Sequence, residues 1–169
     1  MNTAKLSEVA VLLIRNKLQQ DLPAELLSIQ QDRGNYDVTL PNPAEYFISE
    51  KKKILNLPAL FILTDRIDFQ LNVGQNHPNA LLYMNLTCVN EDRNTDFVTI
   101  QTYRYQAALY SVLSGAQLTD ATNNMTLVIK VMQANYSPIY SADDQKTTAG
   151  VFRKEVSLAL EINLFENLS

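Results

Sequence analysis

The sequence predicts an α+β fold: an antiparallel or mixed sheet of about four to five strands, with two main helices packed on one face. Three observations predict it. From Phe152 to Leu164 the chain alternates, with Phe152, Lys154, Val156, Leu158, Leu160, Ile162 and Leu164 on one side. Arg153, Glu155, Ser157, Ala159, Glu161 and Asn163 fall on the other, as in a long strand with one apolar face. Val98, Thr102, Tyr105, Leu109 and Val112 repeat at helical spacing, flanked by Ala108 and Leu113. The third observation is element order, since successive strand patterns joined by short turns favour antiparallel neighbours.

Taken in order, the first helix signal begins at Thr3 and carries Leu6, Val9, Ala10, Leu13, Ile14 and Leu18. Leu22-Pro23 is expected to end it, because the residue before proline avoids helical dihedrals. Residues 22–43 read as a turn-rich connector in which Tyr36 to Leu40 suit a short edge strand. Pro43 suits the first turn of a second, short helix over Ala44 to Leu55. That helix would close on Lys51-Lys52-Lys53, a solvated cationic end that complements the dipole. Pro58 to Leu63 is a continuous apolar run, read as a strand buried on both faces. Ile67, Phe69, Leu71 and Val73 then alternate with polar residues, which predicts a separate, half-exposed strand.

A turn over Gly74 to Asn79 leads into a strand from Ala80 to Val89 with Leu82, Met84, Leu86 and Cys88 on one face. Asn94 or Thr95 caps the long helix, Asp96 suits its positive end, and Gly115 terminates it. Met125 to Tyr136 is the next strand and is expected to pair with the closing one. Between them, Ser137 to Gly150 is a polar loop of fourteen residues, far longer than a hairpin needs. Val128 and Met132 beside Ala159 would leave half-apolar outer faces, which oligomerisation would cover.

The 169 residues fit one domain, 1–169, with 46% hydrophobic and 19% charged residues. Net charge is −4, and the acidic excess lies after Phe61, where seven basic residues face eleven acidic ones. No global basic character advertises nucleic-acid or anionic-membrane binding, and mild acidity ordinarily serves solubility. Cys88 is the single cysteine, so an intrachain disulfide is excluded; in an apolar strand it reads as a small buried hydrophobe. No apolar run reaches membrane-spanning length and no signal-peptide pattern opens the chain, so a soluble protein made in a reducing compartment is expected.

Chemistry-bearing constellations are sparse. His77 is the single histidine, in a turn before Pro78, which leaves no histidine triad or two-histidine zinc site. Asp65, Asp68, Glu91, Asp92 and Asp96 are the carboxylate candidates, and they read as turn and capping residues. The four glycines are isolated, so no phosphate-cradling loop exists. No catalytic residue, metal site or cofactor is therefore expected. Tyr103, Arg104, Tyr105 and Tyr110 form an aromatic-basic cluster that suits base stacking, but Tyr105 lies in the core stripe and Arg104 has no basic neighbours. Packing and interface roles fit better.

The chain resembles the tail terminator (tail completion) proteins of long-tailed bacteriophages. The likeness rests on an amphipathic first helix, the Leu57-Pro58-Ala59-Leu60-Phe61-Ile62-Leu63 strand, and an apolar strand leading into Arg104-Tyr105-x-x-Ala108-Leu109-x-x-Val112-Leu113. After these come Asn135-Tyr136-Ser137-Pro138, a polar loop, and Phe152-Arg153 opening a strand of alternating aliphatics. It covers about residues 3–166, and Asp65 to Asn79 is longer than the family pattern.

The resemblance implies a structural virion protein, made in the host cytoplasm and located in the tail or neck. It implies a ring, expected to be a homo-hexamer, that caps the tail tube and joins it to the neck connector (stopper) protein. DNA would transit the centre without specific binding, and no membrane is involved. On that reading Arg104 on the exposed side of the long helix and the sheet edge at Arg153 and Glu155 are the expected subunit interfaces. The loop residues Pro138, Tyr140, Asp143, Asp144 and Lys146 would dock on a partner. Glu155 and Glu161 would face the channel, where like charge keeps the duplex from sticking. Alternatives of other classes are a stopper or adaptor, a small enzyme, or a nucleic-acid-binding module.

Overall fold

Alternating side chains make the closing segment a strand, and its position makes it the centre of the sheet. The computed structural model describes residues 5–32, 38–49, 56–70, 78–141 and 150–166. In them, β7 (Phe152–Glu166) lies between β3 (Ala80–Asp92) and β5 (Met125–Tyr136), antiparallel to both. Its even positions from Val156 to Leu164 are all at most 1% exposed. They meet the matching face of β3, with Leu82 level with Ile162, Met84 with Leu160 and Leu86 with Leu158.

The rest of the sheet differs from the predicted four to five strands. The described residues form one curled, mixed, mostly antiparallel sheet of seven strands, which adds β1 (Glu45–Phe47), β2 (Ala59–Phe69), β4 (Gln117–Asp120) and β6 (Tyr140–Ser141). The order is β1-β2-β3-β7-β5-β4, with β6 also on β7. The predicted strands either side of Thr64-Asp65 are a single one, β2 (Ala59–Phe69), which stays paired with β3 across a register shift between Thr64 and Arg66. A bulge inserts one residue, so the side-chain phase slips while the strand continues. That slip is the change of pattern visible in the sequence. The three additional strands are short: β1 (Glu45–Phe47), β4 (Gln117–Asp120) and β6 (Tyr140–Ser141).

Two of these replace other predictions. Glu45–Phe47 lies where a second helix is expected, and it runs parallel to β2 instead. Phe47 stacks on Phe61 with ring centroids 5.0 Å apart, joining Ala59 and Val89 in a small apolar cluster. Tyr46-Phe47 are aromatic residues that pack well on a pleated surface, so tertiary pairing overrides the helix-opening Pro43. Lys51, Lys52 and Lys53 lie outside the described residues. Val38 to Leu40, read as part of an edge strand, form no strand.

The first helix also runs further than predicted. α1 (Leu6–Asp32) continues through Pro23. Leu6, Ala10, Ile14, Leu18, Leu22 and Leu26 recur every four residues and are each at most 1% exposed. Burying Leu22 and Leu26 contributes about 1.5–3 kcal/mol each, enough to offset the roughly 3 kcal/mol penalty of an interior proline.

α2 (Thr95–Leu113) is bounded as its sequence indicates. The Asn94 side chain accepts from the backbone N–H of Asp96 at 2.8 Å and of Phe97 at 3.2 Å. Gly115, with φ +75°, follows the Ser114 cap in the left-handed region. Asn94→Ala should therefore lower the unfolding free energy by about 0.5–2 kcal/mol in denaturant titration. An unchanged midpoint would mean that tertiary packing alone fixes the helix start.

Both helices share one core with the inner sheet face. Tyr105, Leu109 and Leu113 of α2 join the α1 stripe and the even positions of β3 and β7. Within it, Asn90 donates through Nδ2 to Thr102 Oγ1 at 3.3 Å, so the two polar groups satisfy one another.

Candidate interaction surface on α2 and β5

The long helix carries just two charged residues between Thr95 and Leu113, namely Asp96 and Arg104. The sequence reading puts Arg104 on its exposed side; the structure instead buries Arg104, 8% exposed, with Nη1 donating to the Val38 carbonyl at 3.3 Å. Gln101 Nε2 donates to the Thr39 carbonyl at 3.1 Å, and the Tyr105 hydroxyl donates to the Pro41 carbonyl. Residues 38–41 belong to no strand, so their carbonyls need partners from elsewhere, and this helix face supplies three. Arg104 is thus committed inside the subunit.

What α2 leaves outside is uncharged and aromatic. Tyr103 is 50% and Tyr110 49% exposed. Tyr103 meets Tyr136 of β5 edge-on at 5.2 Å, and the Tyr136 hydroxyl donates to Gln106 Oε1 at 3.3 Å. Burial raises the Tyr136 pKa above its ordinary value, with a smaller contribution from Tyr103. Beside them, a register shift between Val131 and Gln133 turns Met132 outward, 60% exposed. That bulge also puts Gln133, not Met132, opposite Ala159, and Val128 opposite Asn163, which corrects the outer-face pairing expected from plain alternation. From Val131 to Ser141 the chain has no charged residue. The exposed side of α2 together with Tyr136 is therefore a neutral, aromatic-rich surface, with the charge depletion and aromatic content of an interface core. Met132 adds an exposed apolar side chain on the same strand as Tyr136.

The start of the predicted docking loop is fastened to the beginning of β7. Ser137 N–H donates to the Glu155 carbonyl at 3.0 Å, and Glu155 N–H donates to Ser137 Oγ at 2.9 Å. Lys154 Nζ, largely buried, donates to the Ser137 carbonyl at 2.8 Å. The Tyr140 hydroxyl donates to Glu155 Oε1, and Tyr140–Ser141 pair with Arg153 and Phe152 as β6. Pro138 and Ile139 remain exposed. Asp143, Asp144 and Lys146 lie outside the described residues. Lys154→Ala should speed hydrogen exchange at Ser137 and Glu155 by about tenfold or more, since a charge-assisted bond contributes about 1.5–3 kcal/mol. Unchanged exchange would mean the backbone bonds hold the segment alone.

Arg153 and Glu155 do not lie at an edge. β7 is interior to the sheet, flanked at this level by β3 and β6, because its two faces and both its sides are needed for pairing. On the face opposite the helices, Arg153 Nε pairs with Glu91 at 3.1 Å and Lys130 Nζ with Glu161 at 2.9 Å. Thr87 and Ser157 hydroxyls meet at 2.8 Å, and the Arg66 guanidinium sits 4.4 Å over the Tyr83 ring. Such exposed ion pairs contribute about 0–1 kcal/mol each. They neutralise charge locally more than they stabilise the fold.

Among the described residues, groups suited to catalysis are not drawn together. Cys88 is buried with Sγ 3.7 Å from Asn90 Oδ1, and burial raises its thiol pKa far above the ordinary range. His77 lies outside the described residues, and among those described no three of His, Cys, Asp and Glu cluster as metal ligands. One surface depression of about 330 Å³ holds Lys17 and Asp21, which pair with each other at 2.6 Å. No described helix is long and apolar enough to cross a membrane. The sequence signal that locates the neutral surface is the uncharged run itself, which pattern reading for charged interface residues passes over.

No family model and no curated protein matches this chain. Among solved structures, a chain from the virion of a native gene transfer agent particle is similar at a TM-score of 0.45 and 10% identity, covering 90% of this chain and 93% of that one.

Proposed function

We propose that the chain is a non-catalytic structural subunit of a phage-like particle, forming a six-fold ring that caps the tail tube and joins it to the neck, with DNA passing through the centre. The observation that carries this reading is the distribution of surface chemistry. One side of the subunit presents the neutral aromatic surface of Tyr103, Tyr110 and Tyr136, which suits a protein neighbour. The helix-free sheet face instead bears charges paired with each other, Lys130 with Glu161 and Arg153 with Glu91. A wall of that kind offers no excess of cations to hold phosphates, so a duplex slides past it. The sequence resemblance to tail terminators supports the same role.

The test is to add the purified chain to tail-tube subunits from the same genome while tubes are growing. Growth should stop, with ring-shaped density at one tube end in electron micrographs. Tubes that elongate at an unchanged rate, with no density at either end, overturn the reading.

A further inference from the structure

The sheet ends differently on its two sides, and neither end is completely paired among the described residues. On one side, β1 covers Ala59 to Phe61 of β2 and leaves Ile62 to Phe69 without a second strand. On the other, β4 covers Met125 to Val128 of β5, and residues 115–116 bond to Ile129, leaving Val131 to Tyr136. Rows of backbone donors and acceptors at such ends are templates for another strand. Natural edges are guarded by lysine or other charges, by proline or by bulges. The β2 stretch carries Asp65, Arg66 and Asp68 with a bulge at Asp65, while the β5 stretch carries a bulge at Met132 and no charge, lysine or proline.

We propose that a second copy of the chain lays the Ile62–Phe69 edge of its β2 along the Val131–Tyr136 edge of β5, continuing one sheet from subunit to subunit. This inference deepens the ring reading above and rests on it. Three features identify the occupant as another copy. First, β2, β3, β7 and β5 alternate in direction, so β5 and β2 are antiparallel. A copy in the same orientation therefore continues the antiparallel alternation without a break.

Second, the side chains match in kind. On the helix side, β2 offers Ile67 and Phe69, which lie opposite the buried Leu82 and Ala80, and Phe69 is 55% exposed. The same side of β5 offers Tyr136, packed against Tyr103 of α2. On the other side, Arg66 and Asp68 of β2 would run beside Gln133 and Asn135 of β5, polar against polar. Third, the contact is heterologous, joining two different patches, and such a contact repeated by rotation closes into a ring. Val131 to Tyr136 lie level, through β7 and β3, with Thr64 to Leu60, whereas the uncovered part of β2 extends to Phe69. The joined strands are therefore staggered, as closure of a sheet requires. A nucleic acid is disfavoured at this surface, because the β5 stretch has no Lys or Arg from Val131 to Ser141, Arg66 of the β2 stretch is paired with Asp68 at 3.2 Å, and the helix's own Arg104 points inward.

The experiment places one cysteine on each edge, Asp65→Cys on β2 and Gln133→Cys on β5, and treats the full chain with a short bismaleimide linker. Cys88 is buried and serves as its own control in the unsubstituted chain. The double variant should give a ladder of cross-linked species ending at one closed size, and neither single variant should. Adding Tyr103→Glu or Phe69→Glu should lower the cross-linked fraction about tenfold or more, as loss of an interface anchor does, with circular dichroism reporting that the fold is kept. A cross-linked dimer from Gln133→Cys alone overturns the proposal in favour of like edges pairing. Rings seen by light scattering without the cross-link overturn it while leaving the ring reading intact. A chain monomeric at every concentration, with no ladder, also overturns it, and the tube-growth assay then decides the ring reading separately.

Discussion

Leu158→Ala should lower the unfolding free energy by about 2–5 kcal/mol, seen as an earlier urea midpoint with an unchanged slope. Leu158 is fully buried in β7, level with Leu86 of β3 and Ala134 of β5. Truncation there opens a cavity where sheet and helices meet, and paired strands on both sides resist collapse into it. The comparison residue is Ser157, one position away on the opposite face, whose hydroxyl meets Thr87. Ser157→Ala should cost no more than about 1.5 kcal/mol. Equal losses at the two positions would contradict the assignment of one buried and one open face.

Tyr105→Ala should be comparably severe, with a loss of about 3–5 kcal/mol, because it empties the largest fully buried side chain of the core. Tyr105→Phe keeps the ring and removes only the hydroxyl that donates to the Pro41 carbonyl, so its cost should be about 0.5–1.5 kcal/mol. The same residue gives the protein an alkaline limit. Burial raises the Tyr105 pKa well above its ordinary 10.0, and Cys88 and Tyr46 add to the shift. In the folded chain the phenol therefore stays neutral at a pH where the unfolded chain has already released the proton. Its contribution is fully present below pH 10 and is lost as the pH climbs above that value. Melting temperature should fall between pH 9 and pH 11, and Tyr105→Phe should fall less steeply. A parallel decline in both proteins would place the alkaline sensitivity elsewhere, with the buried Cys88 thiol as the next group to replace.

Whether a feature was legible in the sequence follows from the range of the interaction that sets it. The Asn94 cap, the Gly115 stop, and the apolar faces of β3 and β7 were legible because each depends on neighbours within a few residues or on simple periodicity. Pro23 misled because its penalty is local while the burial of Leu22 and Leu26 that offsets it comes from the core shared with α2 and the sheet. The bulge at Asp65 misled because a one-residue slip looks, along a chain, like the end of one strand and the start of another. For the candidate surface, the sequence suggested charged residues: Arg104, Arg153, Glu155 and Glu161. All four have partners within the subunit, which no spacing rule reveals.

By itself, then, the sequence determined which segments could be strands and helices, which face of each is apolar, and where the long helix starts and stops. It also determined that charge is missing from Val131 to Ser141. The pairing of the closing strand with β5 was expected from the sequence and is found. Tertiary structure alone decided that β3 takes its other side, which makes it central, and that short β1 and β4 leave two stretches of edge uncovered among the described residues. The physical reason is that strand pairing is a long-range choice. Each strand carries the same backbone donors and acceptors, so its partner is settled by which apolar faces can share one core with the helices.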